Sequence, residues 1–215
     1  MNTASSMVDH SMRVTPLAAR LLPAEGLPAR DANVVLDCTG TERFGLRGPG
    51  TLDWLASAGI AAPEALNTAA FLPCGTAILR LGNQEVLLLA PPGGDGGRLR
   101  ALRAAWDDST LDAKGYDAWR DEGWAWFMIS GPAADQLMPR ISMTDLRPRS
   151  VAVGQVLQTR ALQQDAVVAR LDRFGAPSFE VFLDIASAEF VLDVLEHAVA
   201  GLAAPFAIAG LAPQA

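Results

Sequence analysis

The side chains that perform acid–base, nucleophilic or metal chemistry do not converge in this sequence. Its two histidines are far apart. His10 lies near the N-terminus, and His197 follows Val194 by three residues in an apolar-periodic segment, where it reads as a surface or half-buried helix residue. Cys38 and Cys74 make no disulfide framework, and two Cys with two His at these spacings match no compact zinc site. No G-x-S-x-G, P-loop or H-E-x-x-H motif occurs. Ser130-Gly131-Pro132 reads as a turn with no base beside it. Gly93 to Gly97 precede Arg98, Arg100 and Arg103, a combination that suits an anion at a helix start. Asp95 interrupts that loop, and the acidic strand residue of a dinucleotide fingerprint is missing, so it reads as a flexible connection. The expected catalytic set is empty, and no metal is expected.

Arginine and tryptophan offer more. The chain has sixteen arginines and one lysine, Lys114, so nearly every positive charge can make planar, bidentate contacts. Arg140, Arg147 and Arg149 surround Asp145. They read either as partners of Asp145 or as a docking edge for carboxylates. Trp124 and Trp126 alternate on one predicted strand and so share a face. Trp119 falls in a polar link, where an exposed indole would suit a protein–protein interface. The expected interface residues are Arg140, Arg147, Arg149 and Trp119.

The net charge of −7 argues against a general phosphate-backbone binder, so no nucleic acid is expected. The N-terminal residues through Val14 contain Asp9, His10 and Arg13 and lack an apolar core, so no secretory signal is read there. The longest apolar stretch, 198–212, is shorter than the roughly 20 residues that span a bilayer and contains Pro205, so no membrane partner is expected. A cytoplasmic protein with reduced thiols follows. At 215 residues the chain can bury roughly 70% of its unfolded surface without a staple.

The elements are read from period and punctuation. Residues 1–33, with Pro16, Pro23, Gly26 and Pro28, form an arm that is either loose or docked on a partner, with a helical turn near 17–22. Val34–Leu36 and Phe44–Leu46 read as strands. Thr51, after Gly48-Pro49-Gly50, reads as the N-cap of a helix ending at Gly59. Thr76–Leu81 and Glu85–Ala90 read as a hairpin around Gly82-Asn83-Gln84, and a helix carries Leu99, Leu102 and Trp106. Residues 107–123 are a polar link with a helix near 116–120. A second strand, Gly-Pro turn and helix then follow at Trp124–Ser130, Gly131-Pro132 and 133–141, with strands at 156–161, 166–171 and 179–183. A closing helix over 188–200 carries Phe190, Val191, Val194, Leu195 and Ala198 on one face. Gly48-Pro49 and Gly131-Pro132 recur 83 residues apart in the same order of elements, which reads as an internal repeat.

The order of several segments resembles the gamma subunit of heterotetrameric sarcosine oxidases and of their relatives acting on other N-methyl amino acids. The segments are Thr15-Pro16-Leu17-Ala18, Phe44 to Gly50, Leu79-Arg80-Leu81-Gly82, Glu85 to Leu89, Ile129 to Pro132 and Thr144 to Arg149. The second half, Val168 to Phe182, is similar to a hairpin of the folate-binding glycine-cleavage T-protein, with Phe179-Glu180-Val181 fitting its end and the Tyr-Thr-Gly-Glu centre absent. The resemblance implies an α+β fold of two pseudo-repeated α/β units of the T-protein folate-binding type. The expected boundaries are 1–33 for the arm, 34–123 and 124–202 for the units, and 203–215 for a C-terminal tail. It implies a non-catalytic small subunit of a flavoenzyme complex that demethylates N-methyl amino acids with folate-linked one-carbon transfer. FAD, FMN, NAD and tetrahydrofolate would belong to the larger partner subunits, and none to this chain. The alternative is a stand-alone folate-binding aminomethyltransferase-like protein, in which Glu180, Glu85 or Asp172 would hold the pterin.

Overall fold

Short apolar runs cut by Gly, Pro and Asn make this a protein of short strands, and their period of two decides which face each residue buries. The computed structural model describes residues 15–24 and 26–211. The first half contains β1 (Val34–Asp37), β2 (Arg43–Arg47), α1 (Thr51–Ser57), β3 (Thr68–Phe71), β4 (Ala77–Gly82), β5 (Glu85–Leu89) and α2 (Gly97–Asp107). Then come β6 (Tyr116–Asp117), α3 (Arg120–Gly123), β7 (Trp124–Ser130), α4 (Ala134–Ile141), β8 (Val156–Ala161), β9 (Gln164–Arg170), β10 (Ser178–Asp184), α5 (Ala188–Ala200) and β11 (Ala207–Gly210). Single 3-10 turns occupy Arg173–Gly175 and Ile185–Ser187.

The strands form two sheets, ordered β11-β1-β7-β10-β9-β8 and β3-β4-β5-β2-β6. Among the described strands β1 and β11 pair in parallel and the other pairs are antiparallel. The quartets β3-β4-β5-β2 and β8-β9-β10-β7 run in the same relative order. In each, the last strand leads through a Gly-Pro turn into a helix, β2 into α1 and β7 into α4.

The sheets pack face to face. Leu79, Leu87 and Leu89 of the five-stranded sheet meet Leu36, Trp126, Met128 and Phe182 of the six-stranded one. The intervening residues point outward. Phe127, Ile129, Phe179 and Val181 pack under α4 and α5, and Phe44, Leu46, Ile78 and Val86 under α1 and α2. The result is a mixed α+β sandwich with two central sheets and helices on both outsides.

Both Gly-Pro turns need their glycine. A Cβ on Gly48, at φ 105°, would stand 2.8 Å from the Tyr116 ring, and one on Gly131, at φ 132°, would stand 2.5 Å from the Ala32 carbonyl oxygen. Gly50, not Thr51, is the N-cap of α1, and the Thr51 hydroxyl donates to the Gly48 carbonyl instead.

The structure moves several expected boundaries. β1, expected to open the first unit, pairs with β7 in the other sheet, because Val34, Val35 and Leu36 are apolar on both faces and need cover from both sides. The C-terminal stretch is no tail through residue 210, since β11 lies beside β1. The described part of the arm folds onto its own chain. Leu17 is fully buried, Arg20 pairs with Asp193 and Glu196 on α5, and Pro23 bridges Gly210. His10, the segment read for a secretory signal and the start of the arm lie outside the described residues. The link expected to be helical at 116–120 forms β6 and then α3. Phe190 is half-exposed, because the buried stripe of α5 runs through Val191, Leu192 and Leu195.

Candidate functional site

Glu180 lies in the middle of β10, opposite Met128 of β7, and alternation turns it toward the other sheet with Phe182. It is fully buried, and both oxygens are engaged. Oε2 accepts the Trp126 indole N–H at 2.6 Å, and Oε1 accepts Arg173 Nε–H at 2.5 Å. Arg173 is buried too, and its guanidinium lies 5.1 Å from the Phe71 ring centroid. The turn that presents Arg173 is strained: Asp172 and Phe174 on either side are left-handed, at φ 47° and 58°. Ser178 Oγ accepts the Arg173 backbone N–H, and Asp172 accepts that of Ser178, which locks the turn.

Trp124, Phe182 and Trp126 continue this network as an aromatic row, with centroids 5.9 and 5.6 Å apart. Cys38 is buried beside it. Desolvation pushes its thiol well above the ordinary value, and the Glu180 and Asp37 charges push it further.

The two other candidate carboxylates are also held by arginine. Glu85 takes Arg120 at 2.5 Å and Arg47 at 3.6 Å, and Asp172 takes Arg170 at 2.7 Å. A pterin would need a carboxylate facing open space between the sheets. Glu180 is instead neutralised by Arg173, and leucine and aromatic side chains fill the layer around it, so these residues do not fit the group. An open depression of about 540 Å³ lies at the Trp124–Asp184 end of the six-stranded sheet, with Arg160 and Asp165 among its lining residues.

Sequence reasoning missed Arg43. It is fully buried at the start of β2 and donates to the carbonyls of Thr39, Thr41, Arg120, Asp121 and Trp124. It therefore ties the β1–β2 loop to α3, the segment that joins the two halves. Arg103 is a second tie, bridging α2 to Asp117 and Asp121. No local pattern marks either residue, because Arg43 is held by backbone carbonyls, three of them 77 to 81 residues away, and Arg103 by carboxylates 14 and 18 residues on.

The expected interface residues divide. Arg140 donates to the carbonyls of Ala198 and Gly201 and so caps the C-terminus of α5. Arg147 forms a two-pronged pair with Asp145, and that guanidinium with the Ser150 hydroxyl holds the Asp145 carboxyl well below the usual carboxylate range. Arg149 is exposed and has no partner among the described residues. Trp119 is exposed beyond β6. His197 is exposed on α5, away from the buried network.

No protein-family model matches this sequence, and no curated protein does. Among solved structures, a chain of the heterotetrameric sarcosine oxidase from Corynebacterium sp. U-96, in complex with pyrrole 2-carboxylate, superposes with a TM-score of 0.68. The identity is 24%, over 89% of this chain and 97% of that one. The two chains share a fold. Among the described residues, no helix is long and apolar enough to cross a membrane.

Proposed function

We propose that this chain is the small, gamma-type subunit of a sarcosine oxidase-like flavoenzyme, one that oxidatively demethylates an N-methyl amino acid and passes the carbon unit to tetrahydrofolate. One observation carries the reading. The match takes in nearly all of both chains, so the relative is a whole subunit of similar length and not a domain within a longer polypeptide. Its assembly is heterotetrameric, so larger chains are this protein's partners under the reading.

The interior supports a bracing role. Glu180, Glu85 and Asp172 are each held by arginine, and the layer between the sheets is packed with side chains. FAD, FMN, NAD and folate then belong to the larger subunits, in the cytoplasm. The shared strand order of the two quartets, each followed by a Gly-Pro turn and helix, supports two pseudo-repeated units of the T-protein type.

The test is to tag this chain in its native host, isolate it under mild conditions and record the visible spectrum. Larger chains with flavin absorption are the expected result. A colourless protein recovered alone, from cells grown on an N-methyl amino acid, would overturn the reading.

A further inference from the structure

The segment that joins the two halves carries three large apolar side chains in the open. Tyr116 is 72% exposed, Trp119 66% and Leu111 47%. Tyr116 lies on β6 and Trp119 is the N-cap of α3 three residues on, so their backbones are at most about 10 Å apart. The segment is well anchored. Ala118 N–H donates to the Gly45 carbonyl, Asp117 takes the Trp119 N–H, and the Lys114 ammonium is held by the carbonyls of Trp106, Asp107 and Ser109. Trp119 is held in the left-handed region at φ 51°, a cost that no buried contact of its side chain offsets. Tyrosine and tryptophan on a rigid frame are the residues that dominate binding at interface centres.

Three acids at this end of the molecule are exposed, Asp107, Asp108 and Asp112, and none forms an ion pair among the described residues, while the one cation within the segment, Lys114, is held by carbonyls. Asp107 ends α2 and Asp108 is its C-cap, where the helix dipole disfavours negative charge. Arg47, opposite Tyr116 in the ladder, is an exposed cation that shares Glu85 with Arg120. The Tyr116 ring leans on Gly48, but folding stability accounts neither for the exposed Trp119 indole nor for the acids.

We propose that the Leu111–Trp119 segment is the docking centre for the flavin-bearing partner chain. That chain would present an apolar pocket ringed by arginine and lysine. The inference rests on the subunit reading above and chooses this face over the Arg147–Arg149 edge. Trp119 and Tyr116 fill the pocket, and the aspartates steer the approach and make it salt-dependent.

The test isolates the complex through the tagged chain, comparing wild type with Trp119→Asn and with Asp108→Lys/Asp112→Lys. Asparagine tolerates the left-handed backbone, and lysine suits a helix C-terminus, so both variants should fold, which their melting temperatures check. The expected result is a loss of co-purifying flavin chain of at least about tenfold for Trp119→Asn and severalfold for the charge reversal. Full flavin retention by both variants overturns the docking face and leaves the subunit reading intact. Loss with Trp119→Asn alone overturns the basic partner chemistry. A wild-type chain that brings no flavoprotein overturns the subunit reading, and this proposal with it.

Discussion

Trp126 and Glu180 lie diagonally across the β7–β10 ladder, with the indole N–H of one donating to the carboxylate of the other at 2.6 Å. The second oxygen of that carboxylate holds Arg173. The buried charge of β10 thus serves as an internal counter-ion. Glu180→Gln keeps the shape and can still accept from Trp126, but leaves the Arg173 guanidinium buried without its partner. The expected loss is about 3 kcal/mol or more by urea denaturation. Replacing both members, Glu180→Met/Arg173→Met, should cost less than the single change, because it buries no lone charge. A single-variant loss under about 1 kcal/mol would show that the pair is not the lock of this layer.

The outer layers are legible in the sequence and the central layer only partly. Leu99, Leu137, Val191 and Leu195 keep helical spacing, and α2, α4 and α5 form where that spacing predicts. The β4–β5 hairpin turns at Asn83-Gln84 as composition suggests. The placement of β1 is not legible, because a buried run such as Val34-Val35-Leu36 states that it needs cover on both sides but not which sheet supplies it. Glu180 stands out in the sequence as a candidate site residue. Its role as a partner of Arg173 depends on two left-handed residues, Asp172 and Phe174, that no glycine announces. Arg140 and Arg147 look like a docking edge until their carbonyl and carboxylate partners are placed.

Arg43 makes the second prediction. Five carbonyls from two separate segments converge on one planar group, and a lysine ammonium has only three donors with different geometry. Arg43→Lys should therefore destabilise by about 3 kcal/mol, through carbonyls left unsatisfied in a buried place. Hydrogen exchange should localise the damage, with amides of residues 118–124 losing protection before those of β9 and β10. Uniform loss across both sheets would mean that Arg43 is not the specific tie between the halves.

The two thiols should separate cleanly. Cys38 is buried and its thiol is pushed up, whereas Cys74 is exposed. Residual desolvation raises the Cys74 thiol, but the Thr76 hydrogen bonds and the Arg98 charge lower it more, and the net shift is downward. A lowered value puts more thiolate at neutral pH, so labelling of Cys74 should inflect at lower pH than that of a free cysteine under the same conditions. Native protein should take one equivalent of a disulfide reagent, at Cys74, and a second only in denaturant. Two equivalents taken up by the native state would contradict the packing around Cys38.

A folate titration discriminates the stand-alone enzyme from the subunit. Trp126 is bonded to the carboxylate that a pterin would need, so a bound pterin would break the Trp126–Glu180 contact and change the tryptophan emission. With that carboxylate held by Arg173 and the layer filled, tetrahydrofolate should change neither emission nor melting temperature beyond inner-filter absorption. A ligand present at a hundred times its dissociation constant would add about 2.7 kcal/mol of stability. In a chain of this length that is a rise of roughly 5–10 °C, well within reach of a melting scan. A saturable rise of that size, abolished by Glu180→Gln, would sink the packed-layer account and return the carboxylate to a ligand-binding role.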